Sequence, residues 1–435
     1  MDLTLDGYFW HDKSERVRGT LTWSALSGGD LVLEGALTPN NQLAGEAELL
    51  HGRALDGRPI ALVNSFVRRF DASTQVVQRW RVNAGFVGID APDPAVSTLA
   101  ISVDGLERFA PMSNLSVTGG ASAQDPVTLA WEPRQGAPDL EVAGGRLCLV
   151  SGRQVSLGEQ RFSLEETAHI ELHLDEAIPW TTATTPLRRF VALTEFFANR
   201  PMAAQREWSF EHDLLVDHLY QPIVGVAPDD PDKFWLRLHD ISGNLPNAFD
   251  QWIQLLDDKP ELGALLVEEV RFSLRTNPVD RVLRLTRMIE LLHRRRHPDA
   301  QPEESPDIER HREVIDSAPE RLRGWLSDQL GLTRVKLRQR IRDILLDLDG
   351  GLDEFVRDPD DFARVATKTR NWHTHYGDRS GIADGEYVTY LAMRLWVVVR
   401  ATFLLEFGWS PSDAVALVYR DGNTQWVQAT PLRQT

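Results

Sequence analysis

Within the run Arg370, Asn371, Trp372, His373, Thr374, His375, a permanent cation, a carboxamide and an imidazole fall inside roughly two helical turns. Cutting a phosphodiester beside a 2′-hydroxyl needs a base for the hydroxyl proton, an acid for the leaving oxygen and a cation over the phosphate. Imidazole changes charge near neutrality and can serve as base or acid, while guanidinium stays charged and grips phosphate oxygens through a planar fork. Asn371, both donor and acceptor, can orient either group. The Arg-x4-His spacing is weak evidence by itself: 42 Arg and 12 His in 435 residues give about one such pair by chance, and one is found. The surroundings must therefore carry the reading.

At 100° per residue, Arg370 and His375 stand roughly 140° apart on an ideal helix, whereas Asn371 and His375 share a face. A working site therefore needs either a helix that ends near His375 or groups from a second subunit. Gly377 fits the first option, since glycine commonly follows a last helical turn, and that turn is where the helix dipole favours a cation. The bland alternative is that Arg370 is a solvated helix residue and His375 a C-terminal cap. His373 falls on the stripe of Phe362, Val365, Ala366, Thr369, Trp372 and Tyr376, a face expected to be buried, so it reads as a core or supporting residue. Glu290 and His293 form a polar spot on the apolar stripe Val282, Leu285, Ile289, Leu292 and could support the site from another helix.

The elements that would hold these residues change character along the chain. From Leu3 to about Trp180 the pattern is short and alternating, punctuated by Gly, Pro, Asp and Asn, which predicts a β-rich domain. Strands are expected over Leu31–Leu37, Ala47–Leu50, Ile60–Phe70 and Ile170–Leu174, with turns at Ser27–Asp30, Pro39–Asn41 and Asp56–Pro59. A mixed stretch from Pro186 to Asp240, with an apolar segment at Phe190–Phe197, completes this domain or bridges to the next. From about Leu245 the period becomes helical. Helices are expected over Ala248–Leu256, Glu261–Arg275, Pro278–His297 (N-cap Asn277), Ile308–Leu330, Arg334–Leu348, Pro359–Tyr376 and Asp384–Phe407. The motif helix starts with Asp358 as cap, Pro359 next, and Asp360 and Asp361 where acids favour the dipole. The fold class is α+β multidomain: a β-rich domain over 1–240, its boundary anywhere from 180 to 245, then an all-α bundle over 245–425.

Composition limits the partners. A net charge of −17, with −10 in residues 1–180 and −7 in the remainder, excludes a generally basic nucleic-acid surface. Any RNA contact must come from local clusters, and the candidates are Arg294, Arg295, Arg296 at one helix end and Arg334, Arg338, Arg342 at i, i+4, i+8 on another. Lone Cys148 excludes an intrachain disulfide and suits a reducing cytoplasm. The opening residues carry no secretory pattern, and the longest apolar stretch, Leu391–Phe407, is broken by Arg394, Arg400 and Glu406, so a buried helix is expected and no membrane partner. No metal site is expected: His169, Glu171 and His173 alternate as an ordinary half-exposed strand would, three arginines separate His293 from His297, and Asp347, Asp349, Asp353 lack the remaining ligands of a calcium loop.

Taken together, Arg370-Asn371-x-x-x-His375 at the end of an amphipathic helix, followed by a long apolar helix, resembles the signature of HEPN ribonucleases. Gly7-Tyr8-Phe9-Trp10, Arg18-Gly19-Thr20-Leu21, His51-Gly52-Arg53 and Asp56-Gly57 resemble the N-terminal domain of the ApeA family of bacterial anti-phage HEPN proteins. The helices around Arg281–Arg295 and Ala363–Tyr376 resemble that family's C-terminal HEPN domain. The resemblance implies a metal-independent, cofactor-free endoribonuclease in which paired HEPN domains bring two motifs together in a homodimer. It implies that Arg370 binds the scissile phosphate, Asn371 positions it and His375 is base or acid, leaving a 2′,3′-cyclic phosphate. The substrate would be tRNA or another RNA of translation, and the β-rich domain would sense a phage-derived trigger or restrain the nuclease. The competing reading is a non-catalytic HEPN dimerisation module with a ligand-sensing β domain; a further one is a toxin–antitoxin component that modifies another protein.

Overall fold

The computed structural model describes residues 2–11, 14–24, 28–37, 45–71, 76–111, 113–118, 128–133, 138–157, 162–211, 214–220, 234–273, 275–304, 306–330, 334–376 and 379–421. The chain divides into two units, Met1–Pro246 and Asn247–Thr435. The first contains β1 (Asp2–Trp10), β2 (Val17–Ser24), β3 (Gly28–Leu33), β4 (Glu46–Ala54), β5 (Pro59–Asp71), β6 (Val77–Val87), β7 (Ala95–Val103), α1 (Leu106–Phe109), β8 (Ser113–Thr118), β9 (Thr128–Pro133), β10 (Leu140–Val142), β11 (Gly145–Leu157), β12 (Phe162–Pro179), α2 (Trp180–Ala198), β13 (Ala204–Glu211), β14 (Leu214–Tyr220), α3 (Leu238–Ile241) and the start of α4 (Leu245–Asp258). The second continues with α5 (Pro260–Phe272), α6 (Pro278–Arg296), α7 (Pro306–Ser317), α8 (Glu320–Leu330), α9 (Leu337–Leu346), α10 (Asp353–Val356), α11 (Pro359–His375), α12 (Glu386–Glu406) and α13 (Pro411–Tyr419).

In the first unit, alternation decides the sheet. Along β1, Leu5, Gly7 and Phe9 are buried while Asp6 and Tyr8 are exposed, the period-2 signature of a strand with one wet face. Strands β6-β3-β2-β1-β4-β5 are neighbours in that order, and β5 pairs back with β6, closing an antiparallel barrel. Its interior is filled by Phe9, Leu21, Trp23, Leu31, Leu33, Leu50, Ile60, Trp80 and Val82 among others. Strand β6 joins the barrel to the rest of a single twelve-stranded sheet. Residues Gln78–Val82 pair with β3 and Ala84–Val87 with β14 on one edge, while β5 runs along the other. From β14 the sheet continues through β13, β7, β12, β11 and β10. Helix α2 packs on β7 and β12, burying Leu187, Phe190, Leu193, Phe196 and Phe197.

The structure differs from the sequence pattern in several places. The expected turn at Ser27–Asp30 is the start of β3, because Gly28–Asp30 pair with Thr22–Ser24 of β2; Ser27 and the expected turn at Pro39–Asn41 lie outside the described residues. The single helix expected over Ile308–Leu330 is two, because Pro319 cannot donate to the ladder and biases Ala318 away from the helical region. The helix expected from Arg334 begins at Leu337, so Arg334 precedes it and the i, i+4, i+8 stripe loses its first member.

In the second unit, α12 packs against α6, α9 and α13, and α6 also meets α5, α9 and α11. By length and composition α12 could cross a membrane, yet 78% of its most apolar window is buried. Its arginines are buried too: Arg400 donates to Asp421 at 2.7 Å, and burial pulls the Arg394 guanidinium down to about 10, with nearby Arg357 adding to the effect.

Candidate active site

The motif residues sit on the last two turns of α11. That helix begins as the sequence predicts: Asp358 Oδ1 accepts from the backbone N–H of Asp360 (2.9 Å) and of Asp361 (3.0 Å), with Pro359 in the first turn. It ends immediately after His375, where Tyr376 takes the left-handed conformation (φ 51°, ψ 44°) and donates its N–H to the Trp372 carbonyl. The expected stop, Gly377, lies outside the described residues, and a non-glycine residue performs the left-handed turn.

Phe362, Ala363, Val365, Ala366 and Thr369 anchor the helix in the core. Thr369 Oγ1 accepts from the Ala383 N–H at 2.9 Å, and Lys368 Nζ donates to the Ser380 carbonyl at 2.9 Å, so the segment leading to α12 covers this part of α11. Beyond it the expected buried stripe opens out. Trp372 and His373 are half-buried and Tyr376 is 79% exposed, since its left-handed backbone swings the side chain off the helical stripe. The Trp372 and Tyr376 rings meet edge to face at 6.1 Å.

Arg370 is half-buried, whereas Asn371 and His375 are exposed. Arg370 Nη1 donates to Asn371 Oδ1 at 3.1 Å, and its Nη2 lies 3.7 Å from Glu290 Oε1 on α6. Glu290 is thus brought to the motif. Among the described residues, no hydrogen bond or ion pair joins Arg370 to His375 within one chain, consistent with the 140° between them.

His293 is not brought to the motif. It is fully buried against α9, its Nε2 2.8 Å from Asp343 Oδ2 and its Nδ1 accepting from Arg340 Nη1 at 3.1 Å. Burial pushes its imidazole below the ordinary range; Asp343 opposes that, and the positive Arg340 adds to it. The ring also stacks on His297 at 4.8 Å.

The candidate RNA-binding arginines divide in two. Arg295 donates to Glu406 Oε2 (2.7 Å) and Asp258 Oδ2 (2.7 Å), and Arg296 to Asp347 Oδ2 (2.7 Å) and Glu406 Oε1 (2.9 Å). These two hold helices together, each paired by two carboxylates. Arg342 is likewise engaged by Glu303 (2.9 Å) and Asp360 (3.1 Å), and Arg338 approaches Asp360 at 3.5 Å. Arg294 and Arg334 are exposed. Asp347, read above as a fragment of a calcium loop, accepts from both Arg296 and His297.

Sequence reasoning did not single out Arg379. It is exposed, ion-paired with Asp384, and its guanidinium carbon lies 6.0 Å from the Trp372 ring centroid. Its hydrogen bond holds the Asp384 carboxyl below the usual carboxylate range, with the Gly385 N–H contributing. Arg379 lies just past the helix end with no periodic signal, which is why spacing missed it.

A closed antiparallel barrel with an extended sheet, followed by a helical unit presenting Arg-Asn-x-x-x-His at a helix end, defines a two-part α+β protein whose C-terminal part is a HEPN domain. Family comparison agrees: residues 283–413 match the Apea-like HEPN model and residues 4–252 match ApeA N-terminal domain 1. The chain belongs to the ApeA family. HEPN domains generally act on RNA. No curated protein and no solved structure matches the chain.

Proposed function

We propose that this chain is a metal-independent endoribonuclease of anti-phage defence, cutting tRNA or another RNA of translation in the infected cytoplasm. The observation that carries the reading is the joint presentation of Arg370, Asn371 and His375 on the final turns of α11, with Arg370 steadied by Glu290. Arg370 binds the scissile phosphate and offsets charge as the phosphorane forms. Asn371, already bonded to Arg370, fixes its orientation. His375 takes the proton from the 2′-hydroxyl or delivers one to the leaving 5′-oxygen, and the products carry a 2′,3′-cyclic phosphate and a 5′-hydroxyl. Two copies complete one pocket, since Arg370 and His375 diverge on a single helix. The β-rich unit senses a phage-derived trigger and restrains the nuclease.

The second reading, a non-catalytic HEPN dimerisation module, draws on the same contact: an Arg370 held by Glu290 and Asn371 is what a structural arginine would also show. Purified wild type and His375→Ala, each with and without EDTA, separate the two on total cellular RNA with fragment ends mapped. Cutting that survives EDTA, leaves cyclic phosphate ends and vanishes in His375→Ala is the expected result. Absence of cutting by wild type even with phage extract, or equal cutting by the variant, refutes the catalytic assignment.

A further inference from the structure

The outward face of β1 gathers three of the four N-terminal motif stretches on one patch. Tyr8 and Trp10 point outward from the barrel while Phe9 between them is sealed in its core. Register sets Arg18 of β2 and Arg53 of β4 directly opposite Tyr8, one from each neighbouring strand, and His51 opposite Trp10. Directly opposed side chains start about 5 Å apart, so the stems of two arginines leave the sheet on either side of a phenol ring that is 46% exposed. A third belongs to Arg16, whose guanidinium carbon is 4.7 Å from the Trp10 ring centroid; the His51 imidazole stacks on that ring at 6.0 Å and 15°.

Three nearby carboxylates already have partners, and exposed Glu34, whose backbone N–H bonds the Arg18 carbonyl, forms no ion pair with Arg18 among the described residues. Asp6 accepts from Thr20 at 2.6 Å, Asp56 pairs with Arg58 at 2.8 Å, and Asp90 meets His51 at 2.6 Å. Arg16 and Arg18 have no carboxylate partner among the described residues, and Arg53 donates to the Gly57 carbonyl at 3.2 Å. Residues 1–180 are acidic overall, at −10, so Arg18 and Arg53 opposite exposed Tyr8, with Arg16 on neighbouring Trp10, form a local grouping of cations. Its chemistry fits a ligand with planar rings and regularly spaced anions. Unpaired bases stack on aromatic rings and phosphates pair with arginines, whereas a duplex hides its base faces.

We infer that this face of β1, with its β2 and β4 neighbours, is a docking platform for single-stranded RNA, one base stacking on Tyr8 and flanking phosphates held by Arg16, Arg18 and Arg53. That the strand is RNA rests on the reading above; the platform geometry does not. Trp10 fixes Arg16 and His51 at its edge.

The test is fluorescence anisotropy with a labelled single-stranded RNA of about twelve nucleotides, within the span that such surfaces cover, using the full chain carrying His375→Ala so that the RNA survives. Stacking of one base is worth about 1–3 kcal/mol, so Tyr8→Ala is expected to weaken binding roughly 5- to 150-fold while Tyr8→Phe binds like the parent. Arg18→Gln and Arg53→Gln should each reduce the slope of log affinity against log salt by about 0.7. The same RNA annealed to its complement should bind more weakly. Unchanged affinity in Tyr8→Ala, equal loss in Tyr8→Phe, or a duplex bound as tightly as the single strand overturns the platform. Thermal melts confirm folding, and Arg18→Gln keeps the question decidable if Tyr8→Ala unfolds. RNA that is held through Tyr8 yet never cut by wild type supports the platform and removes only the nuclease reading. RNA that is cut while Tyr8→Ala binds normally removes only the platform.

Discussion

Glu406, the last residue of α12, is expected to be a structural keystone, and Glu406→Gln tests it. An acid at a helix C-terminus is opposed by the dipole, yet this one is 9% exposed and accepts from Arg295 and Arg296 together. Removing one partner of a buried ion pair costs about 3–5 kcal/mol. Here the arginines remain 20% and 23% exposed and keep Asp258 and Asp347, which brings the expected loss to about 2 kcal/mol. For a unit of this size each kcal/mol moves Tm by roughly 2–4 °C, giving a drop of about 4–8 °C. Circular dichroism melts of the full chain, following the helical signal, measure it. Arg294→Ala, at the exposed position beside these two, should cost less than about 0.5 kcal/mol. A Glu406→Gln melt within about 1 °C of wild type would refute the reasoning and return Arg295 and Arg296 to the pool of RNA-binding candidates.

Other consequences can be measured in parallel. Glu290→Gln should lower kcat/KM for RNA cleavage by roughly 2- to 10-fold, the effect of losing about 0.5–1.5 kcal/mol of charge-assisted positioning; a loss as large as that of Arg370→Ala would instead put Glu290 in direct contact with the reaction. His293, buried with its pKa lowered, faces Arg340, Asp343 and His297. The folded state therefore binds its proton more weakly than the unfolded chain does. Stability should be fully present above the unfolded value near 6.5 and fall as pH drops below it, and urea melts of His293→Gln should show a flatter dependence between about pH 6.5 and 5 than wild type. Trp252→Ala and Phe355→Ala, both fully buried, should each cost about 3–5 kcal/mol by denaturant titration.

Local chemistry was legible in the sequence and distant chemistry was not. Asp358-Pro359 announces α11 and Asn277-Pro278 announces α6, because a cap and its N–H groups are two or three residues apart. The barrel strands show in the alternation of wet and dry positions. By contrast α2 was unreadable: Phe190–Phe197 is apolar on nearly every side, so no period separates a helix from a strand. The fate of Arg295 and Arg296 was hidden because their partners lie far along the chain, at Asp258, Asp347 and Glu406, so an exposed-looking run of arginines turned out to be internal pairing. Glu290 was named as a possible neighbour of the site, but only tertiary packing separates it from His293, one turn away and turned toward α9.

The double duty of β6 sets a schedule for the chain's synthesis. One stretch of its edge can pair with β3 as soon as both have been made, but Ala84–Val87 must wait for β14, with Ala84 opposite Tyr220. At ordinary translation rates that delay is on the order of ten seconds. During it a nascent barrel carries an unsatisfied strand edge beside Phe86, a side chain that is buried in the finished sheet. Because such non-local closure is slow and exposed edges invite pairing with other chains, the interval between β6 and β14 is where misassembly of this protein would begin, and where a chaperone that shields strand edges would have the most effect on its yield.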